Sequence, residues 1–135
     1  MFQKLTIVGN LGVDPELKFL PSGEAVTTFS VATNRTWKTK DGAKGEETAW
    51  FRISVWGKSA EACSQYLHKG SKVFVEGRLT PDKETGGPRV WEANDGTHRA
   101  SFEINALEVK FLDSKGDGEA KPQQSQTATE DEIPF

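Results

Sequence analysis

Apolar and polar positions alternate with a period of two through most of residues 1–112, which predicts strands that each lay one face on a core. The alternation is cleanest from Thr48 to Lys58. There Ala49, Phe51, Ile53 and Val55 fall on one face, and Thr48, Trp50, Arg52, Ser54 and Trp56 on the other. Near the start, Leu5, Ile7 and Leu11 alternate in the same way, but Gly9 and Gly12 interrupt them and predict a strand that bends. Val13-Asp14-Pro15-Glu16 turns the chain, Leu17–Leu20 resumes extension, and Pro21-Ser22-Gly23 turns it again. Ala25–Thr36, rich in Val and Thr with Phe29 and Val31 on one side, predicts a second strand, ended by Trp37 as the chain enters a polar loop through Gly42.

Only Ser59–Lys69 reads as a helix. Ser59 is its N-cap candidate, Cys63, Tyr66 and Leu67 share a stripe, and Gly70 stops it. Lys72–Leu79 returns to strand periodicity, with Val73, Val75 and Leu79 inward and Lys72, Phe74, Glu76 and Arg78 outward. Arg89–Glu92 is bracketed by Gly86-Gly87-Pro88 and Asn94-Asp95-Gly96, and the second of these favours a hairpin. Ala100–Leu112 is the final strand. Its apolar parity shifts between Phe102/Ile104 and Leu107/Val109/Phe111, as a bulge or barrel corner requires.

Three strands, a helix and two strands is the order of an all-β, five-stranded oligonucleotide-binding barrel (OB-fold), with its helix between strands 3 and 4. The binding face of that fold is formed by strands 2 and 3 and by the loops joining strands 1–2 and 4–5. Trp50 and Trp56 lie on the third strand, Trp37 ends the second, and Trp91 sits in the 4–5 connection, so all four tryptophans fall on that side. An outward strand face with two indoles and a guanidinium between them is unusual. Six residues of strand span roughly 20 Å, room for several unstacked bases, and indole rings stack bases of any sequence. Arg52 adds charge for a phosphate or a cation–π contact. The competing reading buries this face against a helix or a second subunit.

Charge refines the picture. The 135 residues carry a net −3, which by itself argues against a nucleic-acid partner. Residues 1–112 hold 15 Lys/Arg against 14 Asp/Glu, whereas residues 113–135 hold 2 against 6. The acidity therefore belongs to the tail, and any binding site on the barrel must come from local arrangement. Residues 113–129 hold no large apolar side chain and cannot repay ordering, which predicts a disordered linker. The expected division is a barrel over 1–112 and a linker with an acidic tip over 113–135. A single cysteine, no signal-peptide layout and no apolar run of transmembrane length predict a soluble intracellular protein with no membrane partner.

Catalytic chemistry finds little support. Gly57-Lys58-Ser59 follows a strand and opens a helix, but the phosphate-cradling motif needs a glycine where Arg52 stands. His68 and His98 are not at metal-ligand spacing with each other or with Cys63, so no metal or other cofactor is expected. His68 is expected near the helix C-terminus, complementing its dipole. Cys63 and His68 would point to different faces, and Cys63 reads as a small core residue. A protein-binding scaffold and a small hydrolase using Cys63 or the Gly-Lys-Ser turn remain as other classes.

The motifs carry a family likeness. Val8-Gly9-Asn10-Leu11-Gly12 with Asp14-Pro15-Glu16, the set Trp37, Trp50 and Trp56, Phe74-Val75-Glu76-Gly77, and Trp91 followed by Arg99 resemble a bacterial-type single-stranded DNA-binding protein. The tip, Glu130-Asp131-Glu132-Ile133-Pro134-Phe135, is similar to that family's partner-recruiting terminus. The resemblance implies a cytoplasmic, nucleoid-associated homotetramer that wraps single-stranded DNA in replication, recombination and repair, without catalysis. It also implies that replication and repair proteins are recruited through the tip. Base stacking is then expected of Trp37, Trp50, Trp56, Trp91 and Phe74, and phosphate contact of Arg52, Arg35, Lys38, Lys58, Arg78, Arg89 and Arg99. Three departures stand out: extra sequence over Pro81–Pro88, Phe51 where many members have His at a subunit contact, and a short linker.

Overall fold

A computed structural model describes residues 1–113; all of the expected linker after its first residue, and the tip Glu130–Phe135, lie outside the described residues. The elements follow in the order β1 (Leu5–Leu11), β2 (Glu16–Phe19), β3 (Ala25–Lys38), β4 (Lys44–Trp56), α1 (Lys58–Tyr66), β5 (Lys72–Leu79), β6 (Arg89–Glu92) and β7 (His98–Phe111). The sheet runs β1-β5-β7-β4-β3-β2, and a further pairing of β1 with β3 closes it into a barrel. β1 and β2 are the halves of the expected first strand, and β6 pairs only with β7, off the barrel. The result is the expected five-stranded barrel with its helix between the third and fourth barrel strands. No helix among the described residues is long and apolar enough to cross a membrane.

Closure depends on β1 serving two neighbours. Leu5–Asn10 pair with β5, and Asn10 and Leu11 pair with β3. At the changeover a Cβ on Gly9 would lie 2.8 Å from Val31 Cγ1 and closer still to the Ala32 carbonyl oxygen. Only glycine lets the two backbones approach so closely there. The inward faces then meet in one core of Ile7, Leu11, Phe29, Val31, Ile53, Val55, Val73, Val75 and Ile104, with Cys63 and Leu67 from the helical segment. Burial pushes the Cys63 thiol up to about 11, which leaves it protonated and unfit as a nucleophile. The helix is tied on by Thr27, whose fully buried hydroxyl donates to the Ala60 carbonyl at 2.6 Å.

Several local expectations change. β3 does not end at Thr36: it continues through Trp37 to Lys38, because Arg35↔Glu47, Trp37↔Gly45 and Lys38↔Lys44 extend the β3–β4 ladder past the barrel. Ser59 is not the N-cap. Gly57 holds that position at φ 74°, no side chain caps it, and its N–H donates to the Ala25 carbonyl at 2.9 Å. The helix stops at Tyr66 rather than Lys69, because Leu67 adopts an extended conformation (φ −95°, ψ 153°) that turns its side chain into the core. His68 therefore lies outside the helix, with Nδ1 2.9 Å from the Lys69 carbonyl oxygen, and does not cap its dipole.

The bulge in β7 falls between the two apolar sets, since Glu76 pairs with Glu108 and Gly77 with Ala106. Leu107 is the extra residue, so it is pushed outward to 63% exposure while Val109 packs on the core. Leu79, expected inward, is 44% exposed, lying two residues past Gly77, where the pairing of β5 with β1 ends. The Asn94-Asp95-Gly96 hairpin forms as expected, with Gly96 at φ 86° and the Asp95 carboxylate accepting from the Thr97 N–H at 3.0 Å.

Gly9→Val should force β3 away from β1 at the closure point. The expected loss is about 1–3 kcal/mol of stability, as for overpacking a full site. Chemical denaturation of the two proteins measures it, and unchanged stability would contradict the close crossing.

Candidate nucleic-acid interface

The outer face of β4 is built by register. Trp50, Arg52, Ser54 and Trp56 stand opposite Ala32, Ser30, Thr28 and Val26 of β3. Small neighbours on β3 leave the rings uncovered, and Trp50 and Trp56 are 52% and 40% exposed. The inner residues of the same strand, Ile53 and Val55, are buried, while the outward face is not closed by packing among the described residues. Trp50 has a specific support. Its Cζ3 and Cη2 lie 2.5 and 2.7 Å from where a Cβ on Gly12 would be, so the missing side chain is what lets the ring settle on the end of β1.

Arg52, between the rings, makes no ion pair among the described residues. Its β7 neighbour in register is Glu103. Burial raises the Glu103 carboxyl, but hydrogen bonds from Arg89 and Ser101 and the charges of Arg89 and Arg52 outweigh it and hold the group below its ordinary value.

The other two tryptophans stand on β-ribbons that project from the barrel. Trp37, 38% exposed, lies against Gly45 with the Arg35 guanidinium 4.6 Å over its ring. By register it shares the face of Arg35 and Glu47, the opposite face of the β3–β4 ladder from Trp50 and Trp56. Trp91 lies on β6 opposite Arg99, with the Arg89 guanidinium 4.7 Å over its ring. Lys38 sits opposite Lys44 near the ribbon tip, and Lys58 is the exposed first residue of α1. Arg99 pairs with Asp95 at 3.6 Å.

Phe74 and Arg78 are placed elsewhere. Both lie on the outer face of β5, separated from β4 by β7, with Phe74 half-buried between Val8 and Lys110. The structure does not bring them into the Trp50–Trp56 row. Conversely, Glu47, Ser101 and Glu103 belong to the site but carry no sequence signal of binding, since acids on a nucleic-acid face look like errors. One signal was available: Arg-x-Trp occurs on both ribbons, and each needs a carboxylate across the ladder to steady its arginine.

Because the Glu103 carboxyl is depressed, its contribution to stability is complete above its ordinary value of 4.5 and is lost as pH falls through its lower folded value. The stability difference between the wild-type protein and Glu103→Gln should therefore be full at neutral pH and smaller at an acid pH below 4.5. Urea unfolding at the two pH values checks this, and a gap that widens on acidification would contradict it.

The comparisons with known proteins agree with this geometry. Residues 2–112 match the model of the family described as "Single-strand binding protein family". The chain is 40% identical over 129 residues to a single-stranded DNA-binding protein of Helicobacter hepaticus, covering 96% of this chain and 72% of that one. A protein of the same description from Neisseria meningitidis is 40% identical over 114 residues, covering 84% of this chain and 62% of that one. Among solved structures, a Plasmodium falciparum single-strand binding protein in complex with single-stranded DNA superposes with a TM-score of 0.67. It is 30% identical, and the match covers 84% of this chain and 97% of the other. The chain thus belongs to the single-strand binding protein family.

Proposed function

We propose that this protein binds and protects single-stranded DNA without reading its sequence and without catalysis. The observation that carries the reading is the exposed row Trp50–Arg52–Trp56 on β4, propped by Gly12 and flanked by small residues. Bases stack on the rings, and every base offers a π face, so sequence is immaterial. Trp91 extends the stacking surface onto its ribbon, and Trp37 offers a further ring on the opposite face of the β3–β4 ribbon. Arg52, Arg35, Lys38, Lys58, Arg89 and Arg99 take phosphates, and Arg78 does so where a strand wraps round the barrel. Net charge near zero on the barrel is no obstacle, because the contacts are local and each releases counterions.

The outer wall of β1, β5 and β7, carrying Val8, Phe74 and the Lys4–Glu76 pair at 3.2 Å, is suited to self-association. The proposed assembly is a homotetramer, and Phe74 serves that contact at least as well as it would serve DNA. Barrel residues 1–112 hold DNA, while 113–135 carry the partner function. Glu130-Asp131-Glu132 repels phosphate, and Ile133-Pro134-Phe135 offers a ring and a carboxylate to an apolar pocket rimmed by basic residues. That tip recruits replication, recombination and repair proteins to nucleoid DNA.

Titration of tryptophan fluorescence with a thymidine oligomer tests the first part. Strong quenching is expected, and Trp50→Ala or Trp56→Ala should each cost about 1–3 kcal/mol of binding, with Phe substitutions costing much less. The log–log salt slope should change by about 0.7 for each phosphate contact removed, so Arg52→Gln should flatten it. Ala and Phe variants that bind as tightly as wild type would remove the stacking assignment. For the tail, deletion of Ile133–Phe135 should abolish capture of replication and repair proteins and leave DNA affinity intact; loss of DNA binding would reverse the division of labour.

A further inference from the structure

The two ribbon tryptophans share an arrangement that the barrel tryptophans lack. Arg35-Thr36-Trp37 and Arg89-Val90-Trp91 have the same spacing, and residues two apart on a strand share a face. In each, the guanidinium lies over the indole, at 4.6 Å for Arg35 on Trp37 and 4.7 Å for Arg89 on Trp91. A carboxylate across the ladder then accepts from the arginine Nε–H: Glu47 from Arg35 at 3.1 Å, and Glu103 from Arg89 at 2.9 Å. Glu47 is directly opposite its arginine. Glu103 is diagonal, two residues beyond Ser101, and is itself held by the Ser101 hydroxyl at 2.9 Å. Two ribbons from different parts of the chain thus build the same Glu–Arg–Trp stack. Among the described residues, no cation lies over the ring of Trp50 or Trp56.

We propose that Glu47 and Glu103 are positioning residues that pre-assemble Arg35 on Trp37 and Arg89 on Trp91 as rigid platforms for the DNA strand. The carboxylate engages only Nε, and the terminal guanidinium nitrogens make no other hydrogen bond among the described residues. They stay free for a phosphate, beside a Trp37 ring that rests on Gly45 and is 38% exposed and a partly exposed Trp91 ring. Arginine and tryptophan on a projecting ribbon would otherwise have to be immobilised at the moment of binding, at a cost for each long side chain. Trp50 needs no such device, because Gly12 already seats it.

The inference rests on the proposed base stacking, and it makes a prediction opposite in sign to simple electrostatics. Removing a carboxylate from a phosphate-binding face should tighten binding by ordinary Coulomb reasoning. Removing a positioning carboxylate should weaken it. With the full-length protein and a thymidine oligomer at fixed salt, Glu47→Gln and Glu103→Gln should each weaken binding about two- to fivefold, the range expected of an exposed ion pair. In Arg35→Met or Arg89→Met backgrounds the matching glutamate substitution should no longer weaken binding, because nothing is left to position. Both carboxylates are on exposed ribbons or a strand face away from the core, so the fold survives, and unfolding midpoints confirm it. Unchanged or tighter binding by both glutamate variants, with Trp37→Ala and Trp91→Ala still weakening it, would overturn the positioning role and leave base stacking standing. No effect of either tryptophan substitution would remove the stacking reading, and this inference with it.

Discussion

The antiparallel ladder between β3 and β4 is the constraint on which everything else depends. Its 13 residue pairs run from Val26↔Trp56 to Lys38↔Lys44, and a single ladder therefore both walls the barrel and carries the projecting ribbon. Because side chains alternate, a slip of one residue would turn Trp50, Arg52 and Trp56 into the core and Phe51, Ile53 and Val55 into water. The core thus enforces the binding face. Ile53 and Val55, buried among Phe29, Val31 and Val75, fix the phase of the strand, and the outward row follows from it.

A second consequence is that binding chemistry and stability draw on separate halves of the same strands. The inner half is uncharged, apolar and closed; the outer half of β4 is aromatic, cationic and open. Glycine mediates between them at two points, by letting β3 cross β1 at Gly9 and by seating Trp50 on Gly12. Both are close approaches in which a side chain would occupy space already taken, one by backbone and one by an indole.

Electrostatics is organised on the same local scale. The barrel's near balance of charge hides a sorted surface, in which Arg52 is unpaired among the described residues while Arg35 and Arg89 are steadied by carboxylates. Exposed ion pairs contribute little to stability, typically about 0–1 kcal/mol, so their value here lies in fixing where a guanidinium points. The acidic excess belongs to the sequence beyond residue 112.

Period-two alternation, turn residues and one helical segment were enough to specify the barrel order, the outward Trp50–Arg52–Trp56 row and the bulge in β7. Those features follow from which side chains prefer water, and that preference is written residue by residue. The ends of elements were not legible in the same way. Trp37 belongs to β3 because Gly45 lies across the ladder from it, and Gly57 rather than Ser59 starts the helix because Ala25 holds its N–H. Leu79 and Leu107 read as core residues, yet the barrel rim and the bulge expose them. Glu47 and Glu103 read as solvated acids until the ladder brought each against an arginine already lying on a tryptophan. The sequence by itself determined which faces are apolar and which aromatic, because alternation is a local property of the chain. Only the tertiary structure decided which side chains meet across strands, because register and closure join residues that the sequence keeps far apart.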